Sequence, residues 1–222
     1  MTLSLIEGIR QRRSVRGFQP QAVPDAVLHE IFTLAGRAPS NCNVQPWEVH
    51  VASGAARDAL RARMVARALA GEPMQADFDT MPEVRDSHRQ RQVECAQAMY
   101  GAMGIARGDK VGRQRAALRN FELFDAPHVA FIGMRREYGT SMAVAVGMYA
   151  QTLMLAMTAH GVSSCAMGTM AYYAPDVHEL LGMPDDIGIL FGIAFGFEDA
   201  AVPANATRTS RVALDENVHF HG

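Results

Sequence analysis

The sequence predicts a mixed α/β sheet wrapped by helices. Three observations lead there. Runs of β-rich composition are few, a helical stretch separates each from the next, and 49% of the residues are hydrophobic against 20% charged. That balance describes a globular chain with a sizeable core rather than a disordered or fibrous one. No repeat, low-complexity tract or clear linker divides it, so residues 1–222 read as a single domain.

The first element is a helix. Ser4 and Glu7 have capping-box spacing, and Leu5, Ile6 and Ile9 give an apolar stripe. It ends in the charged stretch 10–16, followed by Gly17-Phe18. A second helix begins near Val23-Pro24-Asp25, where proline suits an early helical position. Val27, Leu28, Ile31, Phe32 and Ala35 form its buried face, and Gly36 stops it. The polar loop 38–46 leads to a strand at 47–52. Residues 55–120 are helical in composition, broken at Gly71, Pro73 and Pro82, and the charged run 83–94 reads as a solvated helical face. Ala126-Pro127 introduces a strand at 128–134. A long helix at 141–160 stops at Gly161, and a short strand follows at 162–167. A short helix at 175–181, a strongly apolar strand at 187–197 and a polar, extended tail at 198–222 complete the chain.

Composition excludes several classes. A formal net charge of −2 is not that of a general nucleic-acid binder, so any anion must be met by a local cluster. Cys42, Cys95 and Cys165 are odd in number, far apart and never in CxxC, which disfavours disulfides and zinc and suits a reducing cytoplasm. The eight histidines show no metal-ligand spacing, so no metal centre is expected. No GxSxG, P-loop or strand-borne GxGxxG is present. The N-terminus lacks the pattern of a signal peptide. Residues 139–160 carry no Asp, Glu, Lys or Arg, which approaches the length of a membrane span. Thr140, Ser141, Gly147, Gln151, Thr152 and Thr158 within it favour a helix buried in the protein or at a subunit interface instead.

Three clusters carry candidate chemistry. Arg10, Arg12, Arg13 and Arg16 repel one another unless a dianion such as a phosphate monoester unites them. Guanidinium forks and the Ser14 hydroxyl suit that role. A solvated basic helix end or a nucleic-acid patch are the other readings. The stiff polar loop Pro39-Ser40-Asn41-Cys42-Asn43-Val44-Gln45-Pro46 can hydrogen-bond a flavin or purine edge, or simply turn the chain between helix and strand. In the tail, Arg208 and Arg211 read in isolation as surface residues.

Taken together, Arg12-Arg13-Ser14-Val15-Arg16-Gly17-Phe18 and Ala38-Pro39-Ser40-Asn41-Cys42-Asn43-Val44-Gln45-Pro46-Trp47 resemble the nitroreductase family of flavoproteins. Phe124-Asp125-Ala126-Pro127, Gly161-Val162-Ser163-Ser164-Cys165, Leu181-Gly182-Met183-Pro184 and Phe195-Gly196-Phe197 agree in order, so the likeness spans nearly the whole chain. It is nearest the nitrobenzoate-reductase-like branch. The resemblance implies an α+β fold, a mixed sheet flanked by helices, in an intertwined homodimer with an exchanged C-terminal strand and the uncharged helix in its core. It implies bound FMN, with NADH or NADPH as co-substrate, and ping-pong, two-electron reduction of nitroaromatic compounds without a catalytic side chain. Quinones, activated alkenes, halogenated phenols or non-catalytic FMN binding are the alternatives. Arg12 would meet phosphate or ribityl oxygens with Arg13 beside it, and Ser14 and Arg16 would reach the pyrimidine side of the flavin. Pro39, Ser40, Asn41 and Asn43 would approach from the other subunit, while Arg208 and Arg211 would complete the phosphate site. Met167, before Gly168, stands where many relatives have a glutamate beside flavin N5, which leaves a backbone N–H for that atom. Tyr100, Phe121 and Phe124 are candidates to line the pocket for a small aromatic acceptor. Neither nucleic acid nor membrane is an expected partner.

Overall fold

The computed structural model describes residues 3–79 and 83–222. Helices α1 (Leu5–Gln11), α2 (Asp25–Ala35), α3 (Gly54–Ala70), α4 (Asp86–Ala102), α5 (Lys110–Phe121), α6 (Thr140–Ala159) and α7 (Ala174–Leu181) surround four strands, β1 (Glu48–Ser53), β2 (His128–Arg135), β3 (Ser163–Met167) and β4 (Ile187–Gly196). The predicted elements thus form within a residue or two, and the helical region 55–120 resolves into three helices. Its break at Gly71 is a left-handed helix stop, whereas the break assigned to Pro82 lies outside the described residues. The capping box forms in full, Ser4 N–H and Oγ both meeting the Glu7 carboxylate.

The strand order is β1-β2-β4-β3, and all three pairings are antiparallel. The crossover through α6 does leave β2 and β3 running the same way, as a helical connection requires. Strand β4 then inserts between them, antiparallel to both. The parallel component of the expected mixed sheet is confined, among the described residues, to single bridges such as Ser14 with Ser164. Beyond β4 the tail makes an isolated antiparallel bridge from Glu198 to Phe18 and single helical turns at Pro203–Ala206 and Leu214–Glu216.

Each face of the sheet buries its own core, because successive strand side chains point to opposite sides. Val129 and Phe131 pack with Leu60 and Met64 of α3 and Val177 of α7. Ala130, Ile132, Ile193 and Phe195 pack with Ile31 of α2 and Leu153 and Met157 of α6. Helix α6 is the one helix among the described residues long and apolar enough to cross a membrane; one third of its most apolar stretch is buried within the chain. Trp47 stacks on Tyr149 of this helix at 4.9 Å, and burial pushes the Tyr149 hydroxyl up to about 12.

His128 fastens α2 to the sheet. Its Nε2 accepts from the Val23 N–H at 2.9 Å, so Nδ1 carries the proton facing Ser53 Oγ, and the ring stacks on Phe195. Burial, and secondarily Arg57, holds its pKa below the ordinary value, with Asp25 opposing. The folded ring therefore resists a proton that the unfolded chain accepts. Stability is fully present above the unfolded pKa of about 6.5 and is lost as pH falls from there towards the depressed folded value. His128→Gln should flatten the fall of the urea midpoint between about pH 7 and 5. An unchanged slope would assign it to another group.

Candidate active site

The segment 12–18 leaves α1 and runs along the outer edge of β3, where backbone groups are unpaired by any further strand. Ser14 bridges to Ser164, and the Val15 N–H donates to Ser164 O at 3.0 Å. On its other side the segment meets the tail. The Gln19 N–H donates to Phe197 O at 2.8 Å and the Asp199 N–H to Gly17 O at 3.0 Å. Asn205, almost fully buried, ties the two together. Its Oδ1 accepts from the Arg16 N–H at 2.6 Å, and its Nδ2 donates to Gly17 O at 2.9 Å and Asp199 O at 2.8 Å. Glycine is required at position 17, since a Cβ there would lie 2.5 Å from three carbons of Val202.

This seam walls a cavity of about 910 Å³. Arg10, Arg12, Arg13 and Arg16 enter from one end of the chain and Arg208 and Arg211 from the other, among Ser14, Ser163, Ser164, Thr207 and Thr209. Arg13 is neutralised by Glu198, its Nη2 lying 2.6 Å from both carboxylate oxygens. Arg208 donates to the carbonyls of Asn205 and Thr207, and Arg211 to Thr209 Oγ1 and Ser210 O. Arg10, Arg12 and Arg16 meet no carboxylate among the described residues. Two buried polar atoms, Ser164 Oγ and Arg13 Nη1, have no hydrogen-bond partner there either. Below the cavity, burial pushes the Cys165 thiol up, although Arg16, a hydrogen bond with Ser14 and Arg12 pull the other way. The cavity therefore offers excess positive charge and unused hydroxyl donors, the chemistry of an anion site.

Arg16 also lines a second, apolar cavity of about 480 Å³, formed by Met99 of α4, Met103, Ile105, Ala116 of α5, Phe124 and Pro203. Of the three aromatic residues proposed from sequence for an acceptor pocket, Phe124 is here. Phe121 instead packs on Tyr173 at 5.4 Å, and Tyr100 lines neither cavity. The polar loop places Cys42, Asn43 and Gln45 in left-handed conformations, φ 47, 58 and 51°. Ser40 Oγ steadies it by accepting from the Gln45 N–H at 2.9 Å. Pro39, Ser40, Asn41 and Asn43 lie outside the basic cavity of their own chain. The Met167 side chain is buried in the core, whereas Gly168 is exposed, and neither lines that cavity.

The sequence matches the model of the Nitroreductase family over residues 9–197. The chain belongs to the nitroreductase family. Nitroreductase NfnB of Mycolicibacterium smegmatis is 39% identical over 96% of this chain and 90% of its own. A 4-nitrobenzoate reductase of Nocardioides is 32% identical over 96% and 87%. Among solved structures, the FMN-dependent nitroreductase NfnB of Mycobacterium smegmatis in complex with NADPH superposes with a TM-score of 0.92 at 37% identity, covering 99% of this chain and all of that one. An FMN- and NADPH-dependent NfnB from Sphigopyxis sp. strain HMH gives 0.94 at 35% identity with the same coverage.

In this nitroreductase the arginines picked out from sequence at both termini share one cavity. Sequence reasoning missed the residues that bring them there. Asn205 and Glu198 lie 189 and 185 residues from their partners Arg16 and Arg13, and no local pattern announces such pairings. Gly17 was visible, but not the Val202 contact that requires it. Gly17→Ala is expected to overpack the seam at a cost of about 1–3 kcal/mol in urea unfolding, and adding Val202→Gly to recover part of that loss. If Gly17→Ala is as stable as wild type, the seam is looser than described.

Proposed function

We propose that the protein is an FMN-dependent oxidoreductase that reduces nitroaromatic compounds with electrons from NADPH or NADH, as a cytoplasmic homodimer. One observation carries the reading: guanidinium groups from both ends of the chain line a single cavity with unpartnered buried hydroxyl and guanidinium atoms, next to an apolar cavity. Phosphate fits the first, because a dianion removes the repulsion that the arginines otherwise feel and accepts from several donors at once. A flat aromatic system fits the second.

Bound FMN would supply a carrier that accepts and donates two electrons. Arg12, Arg208 and Arg211 would hold its phosphate, Ser14 and Ser164 would add hydroxyl donors, and Arg16 would place a cation where the reduced ring carries negative charge. Arg13, paired with Glu198, would hold the segment in place. Met167 is buried, so its contribution beside the ring would be its backbone. Met99 and Met103, flexible and apolar, would adapt to an aromatic acceptor and exclude water from it. The activity printed for the Nocardioides relative makes 4-nitrobenzoate the first acceptor to try.

A second copy of the chain is supported by what one copy leaves uncovered. Leu5, Ile6 and Ile9 of α1, the predicted apolar stripe, and Val144 and Met148 of α6 are exposed on helices that pack against each other, and Phe220 of the tail is 84% exposed. Apolar area of this kind marks an interface. An exchanged tail would cover it, and the loop bearing Pro39, Ser40, Asn41 and Asn43 would reach the partner's cavity. The free, exposed thiols of Cys42 and Cys95 suit a reducing cytoplasm.

Holoprotein mixed with NADPH under nitrogen should lose its flavin absorbance, and 4-nitrobenzoate should restore it; protein that stays colourless in excess FMN refutes the reading. Arg16→Gln and Arg208→Gln should each weaken FMN binding about tenfold or more, read by flavin fluorescence. Ile6→Glu should shift the sedimentation coefficient from dimer to monomer, and a wild-type monomer would remove the two-chain arrangement.

A further inference from the structure

Between α5 and β2 the backbone does something a chain of L-residues rarely does. Leu123, Phe124 and Asp125 all have positive φ, 56, 53 and 65°, with no glycine among them. Left-handed residues occur singly because Cβ crowds the following carbonyl, and three in succession persist only where the surroundings hold them. Here the turn lies between two carboxylates, and all four of their oxygens are occupied by arginines. Arg119, in the last turn of α5, donates Nη1 to Glu122 at 2.7 Å and Nη2 to Asp125 at 2.6 Å. Arg115 meets the other Glu122 oxygen at 2.8 Å, and Arg61 of α3 meets the other Asp125 oxygen at 3.0 Å. Arg119 alone spans the turn, gripping the residue before it and the residue that ends it. Glu122 is 7% exposed, so its charge depends on these partners.

The held turn acts on the site directly. The carbonyl of Phe124 accepts from the Phe18 N–H at 3.2 Å, the far end of the segment whose near end is fixed by Val15 on Ser164. Arg16 lies between these two anchors, and Phe124 lines the apolar cavity that Arg16 shares and that Arg119 itself also borders. We infer that Arg119 is a positioning residue that clamps the left-handed turn 123–125 and through it sets both Arg16 and Phe124. The functional consequence rests on the flavin reading above; the mechanical one does not.

The test separates the two. In full-length protein, Arg119→Met should raise the hydrogen-exchange rates of the Phe18 and Arg16 amides about tenfold or more relative to β4 amides, a readout that needs no cofactor. The same variant should weaken FMN binding at least about fivefold, with kcat at saturating FMN and acceptor within about twofold. Arg119→Lys, which cannot span both carboxylates with a planar fork, should restore less than half of the loss. Phe124→Gly admits positive φ without strain, so adding Arg119→Met to it should cost less in amide protection than adding it to wild type. Unchanged Phe18 and Arg16 exchange in Arg119→Met overturns the inference. So does equal cost in both backgrounds, which would make Arg119 an ordinary ion-pair partner. Exchange that rises in Arg119→Met, when the wild-type protein itself binds no FMN, upholds the clamp and removes the flavin reading.

Discussion

Like charges gather only where something holds them, and in this chain a single buried amide does much of the holding. Asn205 satisfies the Arg16 N–H with one end and the carbonyls of Gly17 and Asp199 with the other. A buried backbone group without a partner costs about 1–3 kcal/mol, so the amide fixes the separation of two stretches nearly two hundred residues apart. The Gly17 contact with Val202 lets them touch, and the Arg13–Glu198 pair removes one positive charge from the cluster. The remaining guanidinium groups then face a common volume. Without this seam the same arginines would be six independent solvated side chains.

The sheet supplies the platform for that seam. Inserting β4 between β2 and β3 leaves β3 at the edge, and an edge strand presents unpaired carbonyl and N–H groups. The arginine segment uses them, Val15 pairing with Ser164. The segment thereby also covers an edge that would otherwise invite another strand. Stability and site geometry are here the same set of hydrogen bonds, which couples the fold of the tail to the shape of the basic cavity.

Backbone strain is concentrated in two short places. Six non-glycine residues with positive φ fall in two short stretches, 42–45 and 123–125. The first belongs to the polar loop held by Ser40. The second borders the apolar cavity through Phe124. Each left-handed residue costs about 1–2 kcal/mol, and neither stretch is built from the glycines that would avoid it. The dense carboxylate–arginine contacts around 122–125 show one way the surrounding structure offsets such a cost.

Much of the fold was legible in sequence because its signals are local. The apolar stripe of α2, the uncharged run of α6, the β-rich composition of β2 and the apolar run of β4 placed these elements within a residue or two, the Ser4–Glu7 spacing marked a helix start, and the clustering of Arg10, Arg12, Arg13 and Arg16 marked a cationic segment. Helix α4 lies on the surface with no fully buried residue, as its charge density predicts. What tertiary structure alone decided are relations between distant parts: β4 rather than β3 beside β2, Arg13 given to Glu198, Phe121 packed on Tyr173 while the buried Phe124 lines a cavity, and Arg119 spanning a left-handed turn. Local sequence encodes which face of an element is apolar through the spacing of its side chains. It carries no record of which remote group will satisfy a buried carbonyl or carboxylate, because that choice is made by the packing of the whole chain.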